Sequence, residues 1–173
     1  MSTNIPPSDE SEYFGKPAFN VVLVRPEIPQ NSGSVARLTA ATRTLLHLVG
    51  PLGYSLADRY LKRAGLDYWP FVALKTYADW DAFDALHQSE HANFKYFSAR
   101  GEKNYLEAIY RRGDFLVFGS ETKGLGAEFL STRRANTYRI PIFEPGVRSL
   151  NLANAVSIVL YEALRQAGLL DGA

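Results

Sequence analysis

Cysteine is missing from the whole 173-residue sequence. That excludes a disulfide framework, a thiolate zinc site and a cysteine nucleophile. Histidine is scarce: His47, His87 and His91 are the only ones, and their spacing forms no metal set. His47 lies in an apolar stretch and reads as a core or edge residue, whereas His87 and His91 read as solvated surface. No metal is therefore expected. No apolar run approaches the roughly 20 residues that span a bilayer, and the N-terminus lacks the basic-then-apolar pattern of a secretory signal. A cytoplasmic enzyme without a membrane partner is the class this leaves. The common nucleotide fingerprints are absent too. In Gly119-Ser120-Glu121-Thr122-Lys123-Gly124 the lysine precedes the second glycine, so the order G-x-x-x-x-G-K-[ST] is not met. No G-x-G-x-x-G follows the first apolar run, and no G-x-S-x-G elbow occurs.

A strong excess of either charge is lacking as well. Nineteen Lys and Arg against eighteen Asp and Glu leave a net +1. A nucleic-acid partner would have to be held by local clusters, of which Arg59/Lys62/Arg63, Arg111/Arg112 and Arg133/Arg134 are candidates. Taken singly, each reads as a solvated helix face or loop. What the chain does have is a hydrophobic fraction of 46% with ten Tyr and ten Phe, enough for one domain with an aromatic-rich core.

Residues 1–17 are rich in Ser, Pro, Asp and Glu and read as a flexible tail; 18–173 read as a single domain. Phe19–Val24, Leu45–Val49 and Phe115–Phe118 are short, nearly continuous apolar runs, as expected of strands buried on both faces, and Tyr138–Ile140 is read as the last strand. Phe71–Leu74 and Phe94–Phe97 are weaker strand candidates. Between them, helices are expected after Asn31, Ser32 or Ser34 as caps, with Val35, Leu38, Ala41 and Thr42 inward. Others are expected over 56–64 with Gly65 as the stop, over 80–87, weakly over 105–110, briefly over 127–130, and from Ser149 or Asn151 through Gln166. This alternation predicts an α/β fold, a mostly parallel sheet with helices on both faces. Ligands of such sheets bind beyond the carboxyl ends of the strands. There the loops 25–34, 119–126 and 141–151 are polar and rich in Gly or Pro.

Three of these stretches recur together in a known order. They are Pro26-Glu27-Ile28-Pro29-Gln30-Asn31-Ser32-Gly33-Ser34-Val35-Ala36-Arg37, then Phe118-Gly119-Ser120-Glu121-Thr122-Lys123-Gly124-Leu125, then Ile140-Pro141-Ile142 leading to Arg148-Ser149-Leu150-Asn151-Leu152-Ala153-Asn154-Ala155. They resemble the three signature motifs of the SpoU branch of the SPOUT RNA methyltransferases over about residues 19–167. The segment Arg63-Ala64-Gly65-Leu66-Asp67-Tyr68 adds a likeness to that branch's tRNA wobble-position enzymes. The resemblance implies a deep trefoil knot in the C-terminal half, a homodimer, and S-adenosyl-L-methionine as cofactor. It implies 2′-O-methylation of the ribose at position 34, cytidine or carboxymethylaminomethyluridine in tRNA-Leu isoacceptors, with the tRNA anticodon stem-loop rather than DNA as partner. Other ribose positions in tRNA or rRNA, and a non-catalytic RNA-binding knot protein, are the alternatives. Carried over residue by residue, the resemblance assigns catalysis to Arg37, with Asn31 holding Arg37 or substrate, and Glu121 and Asn151 organising the loops around the methyl group. It assigns cofactor binding to Phe97, Ser98, Gly119, Ile140, Ser149 and Leu150. Gly119 is expected where backbone meets ligand, so that a side chain there would block the pocket. Ser120 and Lys123 stand where the family often has Pro and Arg.

Overall fold

The computed structural model describes residues 16–57 and 68–171. At its centre is β1 (Asn20–Val24), buried along its whole length. In chain order follow β2 (Leu45–Val49), β3 (Leu74–Tyr77), β4 (Phe94–Phe97), β5 (Lys103–Asn104), β6 (Phe115–Phe118) and β7 (Thr137–Arg139). They form one sheet in the order β3-β2-β1-β6-β4-β7-β5, and every pairing is parallel. The helices are α1 (Pro29–Ala41), α2 (Trp80–Leu86), α3 (Ala127–Ser131) and α4 (Leu152–Gln166).

Successive side chains of a strand point to opposite faces, and the core divides accordingly. Val21 and Leu23 of β1 share one cluster with Leu46, Leu48, Val35, Ala36, Val156, Val159 and Leu160, so this face is covered by α1 and α4. Val22 and Val24 share the other with Val49, Phe83, Phe94, Phe115, Val117 and Leu130, the face covered by α2 and α3. Both layers are rich in aromatics, and in the second Phe83, Phe94 and Phe115 pack ring against ring.

β6 lies between β1 and β4, and β7 between β4 and β5, so each late strand enters between earlier ones. Because β4, β6 and β7 are parallel neighbours, the loops after them leave from the same edge of the sheet.

Several local expectations are corrected. α1 starts at Pro29, with Ile28 at the cap position, so Asn31 and Ser32 are inside its first turn and buried rather than capping. Proline suits that first position because its missing N–H has no partner to lose. The buried face of α1 is Ser32, Val35, Ala36 and Thr39, whereas Ala41 is exposed. The third strand is Leu74–Tyr77, not Phe71–Leu74; Trp69–Phe71 forms a 3-10 turn around Pro70. β3 is an edge strand and only half-buried, so no continuous apolar run marks it. Lys103–Asn104, the opposite edge, is too short to read from pattern. The expected helix at 105–110 is a 3-10 turn over Tyr105–Glu107. Arg133 is no solvated cation: its guanidinium lies 4.0 Å from the Phe129 ring centroid and 5.7 Å from those of Trp80 and Tyr96. The expected helix over 56–64, and with it Arg59, Lys62 and Arg63, falls mostly or wholly outside the described residues, as do most of the tail and Gly65.

His47 is buried as expected, and it is wired. Asn20 Nδ2 donates to the Gly113 carbonyl, so its Oδ1 is free to accept from His47 Nε2–H at 3.0 Å. His47 Nδ1 then accepts from the Tyr77 hydroxyl at 3.0 Å. Tyr77 continues to His87 Nε2, and His87 Nδ1 pairs with Glu90 at 2.7 Å. His87 is thus half-buried among aromatic rings, not solvated surface. Burial, then the neighbouring His87 and Lys75, lowers the His47 pKa from 6.5 to about 3. Between those values the unfolded chain binds the extra proton, so stability falls as pH drops below 6.5; above it the ring is neutral in both states and adds no slope. At pH 4.5 this should cost the wild type about 2–3 kcal/mol. Urea unfolding at pH 4.5 and 7 should show a correspondingly smaller loss for His47→Gln.

Candidate functional site

The loops after β4, β6 and β7 enclose a cavity of about 560 Å³. Phe97 and Ser98 come from the first loop, Gly119 from the second, and Ile140, Ser149 and Leu150 from the third; all six line this one space. Apolar walls come from Phe97, Phe118, Ile140, Ile142, Leu150 and Leu152. Phe97 stacks on Phe118 with centroids 4.9 Å apart and planes 17° apart, because their strands are paired in register. The Ser98 amide donates to the Tyr138 carbonyl at 3.0 Å, which binds the first loop to β7. The middle loop is closed on itself by Gly124 N to Ser120 O at 2.9 Å and Ser120 N to Gly124 O at 3.3 Å.

Gly119 lines the cavity, but its Cα faces the other way. An added Cβ would stand 2.0 Å from the Gly124 carbonyl carbon and 2.2 Å from the Leu125 nitrogen. A side chain there would collide first with the loop's own backbone, so the loop could not keep its shape around it. Glycine is required because two backbone segments cross at contact distance.

Behind the cavity, Glu121, Asn31 and Asn151 form one chain of hydrogen bonds. Glu121 accepts from the amides of Glu27 at 2.7 Å and Ile28 at 3.0 Å, and from Asn31 Nδ2 at 3.2 Å. Asn151 Nδ2 donates to Asn31 Oδ1 at 3.0 Å, while Asn151 Oδ1 caps α4 by accepting from the Asn154 amide. Thr122 returns the tie by donating to the Glu27 carboxylate at 2.8 Å. A carboxylate at the start of α1 meets both free amides and the positive end of the helix dipole.

Arg37 stands apart. It is exposed on the third turn of α1 and is not among the residues lining the cavity. The two ends of the Asn31 amide bind Glu121 and Asn151, and among the described residues it makes no hydrogen bond to Arg37. Arg37 instead lies over Tyr68, 5.8 Å from the ring centroid, and the Tyr68 hydroxyl donates to the Gly33 carbonyl. Tyr54, from the segment after β2, donates to Ser32 Oγ at 2.5 Å. Burial pushes the Tyr54 phenol up to about 12, opposed by the Ser32 bond and helped by the charge of Glu121, so it stays a neutral donor. Arg100 lines the cavity and escaped sequence reasoning, because no local pattern distinguishes it from an ordinary loop residue; Arg148, which also lines it, stood in the third motif without being assigned a role.

The donor set suits an organic ligand. Among the described residues no group of three or more His, Cys, Asp or Glu is placed to hold a metal ion. Among them, too, no helix is long and apolar enough to cross a membrane.

A model of the SpoU rRNA Methylase family matches residues 18–161. The chain belongs to that family. Its fold and its class of chemistry, methyl transfer, follow from membership. A curated relative from Burkholderia ambifaria, named tRNA (cytidine(34)-2′-O)-methyltransferase, is 47% identical over 156 residues, covering 90% of this chain and 99% of that protein. A solved structure concerned with the 2-OH methylation of C/U34 on tRNA is 50% identical, with a TM-score of 0.78 over 86% of this chain and 89% of that one. A Sinorhizobium meliloti rRNA methyltransferase, solved with AdoMet bound, is 25% identical with a TM-score of 0.70, over 88% of this chain and 58% of that one.

The crowding at Gly119 makes a test that separates two glycines of this family member. Gly119→Ala should lower stability by about 1–3 kcal/mol through the backbone clash. Gly124 lies at φ +61°, with no heavy atom within 4 Å of where a methyl group would stand. Its change to Ala should cost only about 1 kcal/mol. Chemical denaturation of the two variants checks the order.

Proposed function

We propose that this chain transfers a methyl group from S-adenosyl-L-methionine to the ribose 2′-hydroxyl of nucleotide 34 in tRNA, and that it works as a homodimer. The observation that carries the reading is the convergence of Phe97, Ser98, Gly119, Ile140, Ser149 and Leu150 on one cavity, in a chain 47% identical to a relative named for that reaction. The cavity fits the cofactor. Its volume lies in the range of small-molecule sites, and it joins apolar walls to loop backbone with polar groups to offer. When bound, the cofactor supplies an electrophilic methyl group on sulfonium sulfur.

The chain's own residues supply position and charge. The three loops form the pocket, and the Glu121–Asn31–Asn151 chain holds two of them rigid against α1 and α4. Preorganisation of this kind lets donor and acceptor meet without ordering the loops during the reaction. Arg37 orients the ribose hydroxyl and a neighbouring phosphate. Its guanidinium is too basic to take a proton as a neutral base, so the proton leaves through that phosphate or water. Because Arg37 does not line the cavity of its own chain, a second copy provides it in this reading. Exposed Ile158 and Tyr161 on α4 offer apolar surface for such a contact. The C-terminal part is threaded as a trefoil knot, which the entry of β7 between β4 and β5 supports. The wobble nucleotide is cytidine or carboxymethylaminomethyluridine in tRNA-Leu isoacceptors, and the anticodon stem-loop is the part engaged. The family description and the S. meliloti neighbour favour rRNA as the second reading.

Mass spectrometry of nucleosides from tRNA and rRNA incubated with protein and cofactor decides between these substrates. Calorimetry with cofactor alone separates both readings from a non-catalytic RNA binder. Arg37→Ala should lower single-turnover methylation by roughly 100-fold or more with cofactor affinity unchanged, and Arg37→Lys should not rescue it, because lysine lacks the planar fork. The active species should sediment at about twice the chain mass.

A further inference from the structure

The mouth of the cavity carries more positive charge than the chain as a whole. Arg100, Lys123 and Arg148 all line it and are exposed. Among the described residues, none of these three side chains has a hydrogen-bond acceptor or an ion-pair partner. The carboxylate in the lining, Glu121, is turned away onto the amides of Glu27 and Ile28 and the side chain of Asn31. Three unpaired cations thus surround the opening of a protein whose net charge is only +1.

On the loop that also carries Arg148 is Phe143, 95% exposed. It follows Ile142, which lines the cavity. Glu144 closes a turn behind it, accepting from the Val147 amide through its carbonyl and from the Gly146 amide through Oε1, each at 3.0 Å.

We infer that this rim is the landing site of single-stranded RNA: Arg100, Lys123 and Arg148 take backbone phosphates, and Phe143 stacks on an unpaired base next to the nucleotide whose ribose is methylated. Unpaired cations call for a polyanion, and a ring bare on both faces suits the plane of a base. A protein surface would satisfy the ring but not the three charges. The inference deepens the RNA reading of the preceding subsection and rests on it.

Binding is measured without turnover, using a fluorescent anticodon stem-loop RNA and S-adenosylhomocysteine. Arg100→Gln, Lys123→Gln and Arg148→Gln should each reduce the slope of log affinity against log salt by about one. Phe143→Leu should weaken RNA binding roughly 5- to 100-fold, while cofactor affinity stays as in the wild type. Phe143→Trp should retain affinity, and its emission should be quenched as RNA is added. Unchanged RNA affinity in Phe143→Leu, or unquenched Phe143→Trp, overturns the stacking assignment. Loss of self-association in Phe143→Leu by sedimentation overturns it in favour of a contact between copies of the chain. Loss of cofactor affinity in the three charge variants assigns the cations to the cofactor instead. Failure of the wild type to methylate any RNA ribose while still binding the stem-loop would overturn the enzymatic reading alone.

Discussion

One carboxylate holds the site together. Glu121 sits on the loop after β6, yet its oxygens are bound by the chain leaving β1, through the amides of Glu27 and Ile28 and the side chain of Asn31. Asn31 passes the connection to Asn151, which is also the cap of α4. Segments 120 residues apart in sequence are thereby locked at one edge of the sheet. Charge-assisted bonds to otherwise free amides at a helix start are among the stronger polar contacts a partly buried site can make. Without Glu121 the start of α1 would keep unmet donors, and the middle wall of the cavity would lose its anchor.

That arrangement depends on parallel strands. All six pairings are parallel, so β4, β6 and β7 end at the same edge, and their loops have no choice but to meet. The cavity is what three neighbouring loops leave between them. Gly119 shows how tightly the loops are drawn: there is room for a hydrogen and nothing larger against Gly124 and Leu125.

Function of this kind asks two things of one opening, an apolar pocket for a small donor and a charged approach for a polyanion. The chain meets both with almost no net charge. Glu121 is hydrogen-bonded to the amides of Glu27 and Ile28 and to Asn31, while Arg100, Lys123 and Arg148 are exposed. Screening confines such attraction to roughly 8–10 Å, so placement at the rim matters more than the total.

The central strands were legible from apolar runs, because a strand buried on both faces must be apolar throughout. The same holds for α4, whose buried Leu152, Val156, Val159, Leu160, Ala163 and Leu164 recur at helical spacing. The motif residues were legible as a set, in order, and with them the family. What only the tertiary structure decided was who meets whom. Asn31 resembles a cap in sequence but is a buried link between Glu121 and Asn151. Gly119 lines the cavity as its motif suggests, but the need for glycine there comes from its own loop crossing at contact distance. Arg37 belongs to the same motif as Asn31 yet lies on an exposed turn over Tyr68, away from the cavity of its chain. The half-buried edge β3 and the two-residue β5 left no periodic mark. The physical reason is common to all of these. Periodicity records which face of an element is buried, whereas a hydrogen bond or a backbone crossing between distant segments is set by the path of the whole chain.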